Sequence, residues 1–165
     1  MTNDFTKDEL NQIFEYRNGE LYYKKKTHKN MADSLMNKPV GYISTNGYKQ
    51  VFVGRKFRGI HRYIFVMHHG YYPKCIDHID GNKANNKIEN LRDVTFRQNC
   101  LNRKKKSNHI GAKGVVWHSR DKKWSVNMFV DGKRKYFGYY KDFELAELVA
   151  IEARDKFHKE FANHG

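Results

Sequence analysis

The stretch from Lys74 to Asn102 leaves the chain few ways to fold. Lys74 to Ile79 reads as a short strand, and Asp80-Gly81-Asn82 supplies residue types that turn a backbone. Leu91 to Val94 reads as a second short strand. Thr95-Phe96-Arg97-Gln98 has the spacing of a capping box, so a helix should start there. The order is strand, turn, strand, helix. It sets Asp77 and His78 near the end of the first strand and Asn90 at the start of the second. Asn99 falls one turn into the helix, on the side that can face the first strand.

Those four side chains suit one kind of chemistry. Asp77 offers a hard carboxylate oxygen and Asn99 an amide carbonyl. Two such ligands, with phosphate oxygens and waters completing an octahedron, describe a site for one magnesium-type ion, Mg2+ or Mn2+. His78 is the candidate general base that takes a proton from water. Asn90 either orients the His78 ring or pins the loop. A helix-loop-helix calcium site fails, because alignment on Gly81 puts Ile76 and His78 where it needs acids. A zinc site from Cys75, His78 and Cys100 lacks a paired-cysteine motif. The plain structural reading of Asp77 to Asn86 is an Asx-rich turn.

Charge narrows the partner. The 165 residues carry a formal net charge of +14 together with 11 Tyr, 11 Phe and 2 Trp, so cations and stacking surfaces occur in one chain. Nucleic acid is the expected partner, with a merely basic soluble protein as the alternative. No apolar run is long enough for a membrane span, and the first residues show no basic-then-apolar leader. Two cysteines make no disulfide framework. The expectation is a cytoplasmic protein with reduced thiols.

Elsewhere the sequence is punctuated by turns. Thr6-Lys7-Asp8-Glu9 is a capping box that opens a short helix to about Phe14. Glu20 to Tyr23 reads as a strand after the Asn18-Gly19 turn, and Lys24 to Lys38 as a basic loop. Asn46-Gly47 joins two strands into a hairpin, Phe57 to Ile60 adds another strand, and His61 to His69 is a helix stopped by Gly70. The basic stretch Arg103-Lys104-Lys105-Lys106 is the expected domain boundary. Beyond it come three strands, Lys113 to Ser119, Trp124 to Val130 and Arg134 to Tyr140, then a helix from about Phe143 to Phe157. Ala146, Val149, Ala150, Ala153 and Phe157 mark its buried stripe.

The charge is unevenly spread. Residues 107 to 141 hold 8 basic and 2 acidic side chains, whereas residues 142 to 165 hold 3 and 6. The C-terminal sheet is therefore positive and its helix negative, and a phosphate backbone should meet the sheet, whose width suits the major groove. Alternation sends Val115, Trp117, Trp124, Val126, Met128 and Phe137 toward the helix. It sends Lys113, Val116, His118, Ser125, Asn127, Phe129, Arg134 and Tyr136 outward.

The order of the central residues resembles the HNH homing endonucleases of bacteriophages. Gly59-Ile60-His61-Arg62, Ile76-Asp77-His78-Ile79-Asp80-Gly81-Asn82-Lys83, Asn85-Asn86, Asn90-Leu91-Arg92, Val94-Thr95 and Gln98-Asn99 carry the resemblance, which covers about Phe14 to Asn102. It implies a ββα-metal core in which His78 is the general base, Asp77 and Asn99 are the metal ligands and Asn90 braces the loop. Asp93 stands where relatives often have tryptophan. Gly114-Val115-Val116-Trp117-His118, Lys123-Trp124-Ser125-Val126, Gly132-Lys133, Phe137-Gly138-Tyr139-Tyr140 and Ala146 resemble a second family, the APETALA-type DNA-binding domain of plant ethylene-response factors. That family reads the major groove with a three-stranded sheet. Val116 and Asn127 stand where it has base-reading arginines.

The combined expectation is an α+β protein. Residues 1–102 form an HNH nuclease domain with its ββα-metal core at about 74–102, 103–112 a basic linker and 113–165 a sheet-on-helix DNA-binding domain. The resemblance implies a site-specific, divalent-metal-dependent DNA endonuclease acting on double-stranded DNA and leaving a 5′-phosphate and a 3′-hydroxyl. Arg103, Lys104, Lys105 and Lys106 would track the backbone, and Lys113, His118, Asn127, Arg134 and Tyr136 would contact DNA. A homodimer would allow both strands to be cut. The alternatives are a non-catalytic DNA-binding protein with an idle core and an RNA-binding protein.

Overall fold

Thr6 starts the first helix as its sequence requires. Its hydroxyl accepts from Glu9 N–H, and the Glu9 carboxylate accepts from Thr6 N–H at 2.8 Å, closing the capping box of α1 (Lys7–Ile13). The computed structural model describes residues 4–102 and 112–164. These fall into two compact units, Met1–Phe96 and Arg97–Gly165, in a mixed α+β arrangement of small antiparallel sheets. No described helix is long and apolar enough to cross a membrane.

In the first unit α1 runs directly into a hairpin of β1 (Phe14–Arg17) and β2 (Glu20–Tyr23). The β1 strand was not expected, since the helical reading extended to Phe14. A three-stranded antiparallel sheet follows, ordered β3 (Tyr42–Ile43), β4 (Lys49–Val53) and β5 (Lys56–Gly59). The next element, α2 (Ile60–His69), ends at Gly70, whose φ of 83° and N–H bond to the Val66 carbonyl form the expected left-handed cap. Six of its ten residues are buried, Ile60 and Tyr63 to Met67. A helix apolar on so many sides belongs inside. Leu10, Phe14, Leu21, Val40, Val51, Val53, Ile76 and Leu91 complete the core around it.

The third sheet is the short pair β6 (Cys75–His78) and β7 (Leu91–Val94), in register Asp77 to Arg92 and His78 to Leu91. Asp93, on β7, accepts from the Tyr71 hydroxyl at 3.0 Å, which gives this position a partner without tryptophan. The last helix of this region, α3 (Phe96–Leu101), begins where the Thr95 cap placed it.

The two units divide between Phe96 and Arg97. Lys113 Nζ donates to the Leu101 carbonyl at 2.9 Å and Asn163 Nδ2 to the Asn102 carbonyl at 2.9 Å, so the end of α3 bonds to the C-terminal unit. Arg103 to Lys106 lie outside the described residues. The C-terminal unit then forms β8 (Val115–His118), β9 (Lys123–Val130) and β10 (Lys133–Tyr140), with β9 in the centre, and α4 (Phe143–His158) packed on the sheet. Asp142 caps α4 by accepting from Leu145 N–H at 2.8 Å. Val115, Val126, Ala146 and Ala150 are its buried centre.

Three details depart from simple alternation. Trp117 was expected under the helix but is 46% exposed. It pairs with Trp124 across β8 and β9, ring centroids 4.9 Å apart, while Trp124 itself packs on Phe143. Ser125 was expected outside but is buried, its small side chain bonded to the Val116 carbonyl between flanking strands. A bulge between Tyr136 and Gly138 shifts the register of β10, so Tyr139, opposite Ser125, joins the outer face and Tyr140 packs inward.

Candidate active site

Strand β6 carries Asp77 and His78 into the first unit's interior, where both are at least nine-tenths buried. Asp77 accepts from Arg92 Nε at 2.9 Å and Nη2 at 2.8 Å, the cross-strand neighbour that the register dictates. A buried carboxylate needs such a compensating charge. Sequence reasoning left Arg92 without a role.

His78 is held by Asn86. The His78 Nε2 and Asn86 Oδ1 lie 3.0 Å apart, and Asn86 Nδ2 donates to the Ala84 carbonyl at 3.3 Å, which turns the amide oxygen toward the ring. An amide oxygen accepts, so Nε2 is the donor of this pair. Asn86 is buried, and it was read from sequence as a turn-former.

Asn90 bonds into the loop that follows β6. Its Oδ1 accepts from Asp80 N–H at 3.0 Å, and its Nδ2 donates to Asp80 Oδ1 at 2.9 Å and to the Asn85 carbonyl at 2.8 Å. Asn85 also donates to Asp80 Oδ2, at 2.7 Å. Burial raises the Asp80 carboxyl's pKa, but the bonds from Asn85, Asn82 N–H and Asn90 outweigh it and leave the value lowered. The loop from Asp80 to Asn90 is thus a closed network around one carboxylate.

A neighbouring turn supports this loop from below. Gly19, at φ 88°, sits so close to Lys87 that an added Cβ would lie 2.9 Å from its backbone nitrogen. Tyr16, on the same hairpin, accepts through its hydroxyl from Ile88 N–H at 3.1 Å. The β1–β2 hairpin therefore fixes the far end of the loop that holds Asn86.

His61 is the side chain that sequence reasoning passed over. It was noted only as opening a helix, yet its ring centroid lies 5.3 Å from that of His78, with Tyr48 5.2 Å from His61 and 6.0 Å from His78. Burial, with smaller contributions from His78 and Arg62, pushes the His61 pKa down to about 3, so the ring is neutral at ordinary pH. Its Nδ1 is buried without a hydrogen-bond partner. The glycine of Gly59-Ile60-His61 was the available signal, because a Cβ at Gly59 would lie 2.4 Å from the His61 ring. Lys83 closes the rim, its Nζ 4.7 Å above the Tyr48 ring and donating to the Asn46 carbonyl at 2.9 Å.

The donor set suits a hard cation with few protein ligands. Among the described residues no three His, Cys, Asp or Glu side chains gather as a metal cluster. A carboxylate such as Asp77 and an amide oxygen are the donor types of a hard divalent cation. Asn99 lies on α3, among residues grouped with the second unit.

In the C-terminal unit the outer face shows His118, Arg134 and Tyr136, with Arg134 5.4 Å above the Phe129 ring. His118 is paired with Asp121 at 3.1 Å. Lys113 and Asn127 are partly buried. Burial, aided by Arg154, lowers the Lys113 pKa.

Residues 58–101, from β5 through α3, match the HNH endonuclease family. Over 96 residues the chain is 38% identical to Protein 3.8 of Escherichia phage T7, covering 56% of this chain and 74% of that protein. Over 84 residues it is 34% identical to the Uncharacterized HNH endonuclease L560 of Acanthamoeba polyphaga mimivirus, covering 49% of this chain and 44% of the other. The chain thus spans less than half of that second relative. No solved structure matches it.

Proposed function

Because the chain belongs to the same family as Protein 3.8 of Escherichia phage T7 and carries an HNH endonuclease domain, we propose that it is a divalent-metal-dependent, site-specific DNA endonuclease of the homing type. The observation that carries this reading is the buried His78 held on Asn86 beside Asp77, inside the matched region.

His78 Nδ1 takes the proton from a water aligned with the scissile phosphorus. Asn86 fixes the tautomer that makes this nitrogen basic. Asn90 keeps the loop closed so that Asn86 stays in place. The neutral His61 ring packs against His78 without adding a second positive charge. Asp77 and Asn99 would hold one Mg2+ or Mn2+ ion, which when bound neutralises charge on the phosphate and the departing oxygen. Water attack breaks the bond from phosphorus to the 3′-oxygen and leaves a 5′-phosphate and a 3′-hydroxyl.

The substrate is double-stranded DNA. The C-terminal unit, read as an APETALA-type domain, grips it through the outer sheet face, using His118, Asn127, Arg134 and Tyr136 with Lys113 at the margin. Arg103 to Lys106 follow the backbone between the two contacts. One core makes one cut, so a double-strand break calls for a homodimer on DNA. The likeness to Protein 3.8 of Escherichia phage T7 supports the cytoplasm of a bacterial host as its place of action.

The test is nicking of plasmid DNA with magnesium. His78→Ala should lose cleavage by the order of 10²–10⁴-fold that a general base contributes, while binding in chelator stays at the wild-type level. Cleavage by this variant at the wild-type rate overturns the assignment. A second reading, a DNA-binding protein with an idle core, draws on the two Arg92 bonds that already engage Asp77. Full binding with no metal-dependent nicking under any condition would favour it.

A further inference from the structure

Three large aromatic side chains of the first unit have no role in the site described. Tyr42, Phe52 and Phe57 are 51%, 54% and 54% exposed, and Phe57 meets both of the others. Their centroids lie 6.0 Å apart for Tyr42 and Phe57 and 4.8 Å apart for Phe52 and Phe57. Burial of Val51 and Val53 on the opposite face accounts for the core side of β4. It leaves Phe52 outward by alternation, and the pairing of Phe52 with Phe57 sets the second ring beside it.

This outer face leads to the candidate active site. Tyr48, Gln50 and Phe52 share one side of the β4 segment by their spacing, and Gln50 pairs with Gly59. The His61 ring lies against Gly59, and Tyr48 touches both His61 and His78. The three exposed rings therefore share a face with Tyr48 and the His61 ring, which in turn meets the buried His78. Its charge is one-sided. Residues 42 to 59 hold Lys49, Arg55, Lys56 and Arg58 and no acid. Lys49 pairs with Glu20 and Arg58 with Asp4, while Arg55 and Lys56 make no ion pair among the described residues.

We propose that the outer face of the β3–β4–β5 sheet is a DNA-contacting platform on which Tyr42, Phe52 and Phe57 stack with bases unstacked beside the cut. Arg55 and Lys56 hold the adjoining phosphates. This rests on the nuclease reading above, because it takes the partner from it. Aromatic rings stack on any base, and apolar wedges open base steps, so the platform recognises an exposed base face rather than a sequence. The geometry gives a position as well. Phe52 is four residues from Tyr48, about 13 Å along a strand, which is about four nucleotide steps of about 3.4 Å. The stacked base should lie within about four nucleotides of the scissile phosphate.

The experiment measures binding of oligonucleotide duplexes by fluorescence anisotropy in chelator, where cleavage plays no part. One duplex is fully paired and another carries a mismatch three to five nucleotides from the mapped cut. The wild-type protein should prefer the mismatched duplex by about tenfold. The Phe52→Ala/Phe57→Ala double variant should lose that preference and bind about 10- to 100-fold more weakly. Phe52→Tyr should keep it. Because both side chains are exposed, the thermal midpoint of the double variant should match the wild type. Unchanged binding by the double variant overturns the proposal. So does a change confined to self-association in sedimentation, which would make the patch a surface for a second copy. Absence of metal-dependent nicking with the mismatch preference intact would sink the nuclease reading and leave the platform standing.

Discussion

The first unit surrounds α2 with Leu10, Phe14, Leu21, Val40, Val51, Val53 and others, whereas the second buries mainly Val115, Val126, Ala146 and Ala150. Where the first unit has large apolar side chains at its centre, the second has alanines and a buried Arg154 that donates to the Lys113 carbonyl. The contrast explains where chemistry can be held. A buried Asp77, His78 and Asn86 can be fixed to a fraction of an ångström only on elements that a large core has already fixed. The second unit offers a three-stranded sheet with rings and cations on its open face, which suits gripping a polyanion more than positioning a proton.

The sharpest way to break the contrast is through the cores. Phe14→Ala should remove about 3–5 kcal/mol from the first unit, because the ring is fully buried among Tyr23 and Tyr63. Val126→Ala, also fully buried, should remove only about 2 kcal/mol from the second. The smaller loss falls on a smaller reserve. Differential scanning calorimetry should show each substitution lowering a different part of the unfolding profile. Equal shifts of a single transition would mean that the two cores stabilise one cooperative structure.

A smaller effect tests how tightly the first unit holds the proposed base, His78. Asn86→Ala should reduce nicking by about 10- to 100-fold, less than loss of His78 itself, because the ring remains but its tautomer and orientation are no longer fixed. DNA binding in chelator should stay unchanged. Asn90→Ala should act in the same direction by loosening the loop that carries Asn86. Rates unaltered by Asn86→Ala would show that the imidazole is oriented by another contact.

Much of this was legible in the chain because it is written in local chemistry. Capping residues, Asn-Gly and Asp-Gly turns and glycine stops placed nearly every helix and hairpin to within a residue or two. Asp77 and His78 stood out because an acid and an imidazole end a strand before a turn. Asn86 did not, because a buried asparagine that orients a ring has the same sequence appearance as a turn-forming one, and the network around Asp80 shows both uses side by side. His61 was hidden by distance along the chain, since it meets His78 only through packing of α2 on the loop. Tyr139 was hidden by the bulge after Tyr136, which no alternation rule anticipates. Arg154 falls on the alanine stripe of α4, where small neighbours leave room for its long stem.

The smallest expected effect probes the other side of the comparison, the grip of the second unit. Arg134 lies opposite Phe129 on the outer face, its guanidinium over that exposed ring, so it can meet a phosphate without leaving its support. Arg134→Ala should weaken binding several-fold on all duplexes alike and lower the slope of log affinity against log salt by about one. Nicking at saturating DNA should be unchanged, because Arg134 is assigned to binding and not to the proton transfer. The measurement is a salt titration of anisotropy for the wild-type and variant proteins on the same duplex. An unchanged slope would place the phosphate contact elsewhere on the sheet. A change in the nicking rate at saturation would mean that the second unit does more than grip, and the division of labour drawn from the two cores would have to be redrawn.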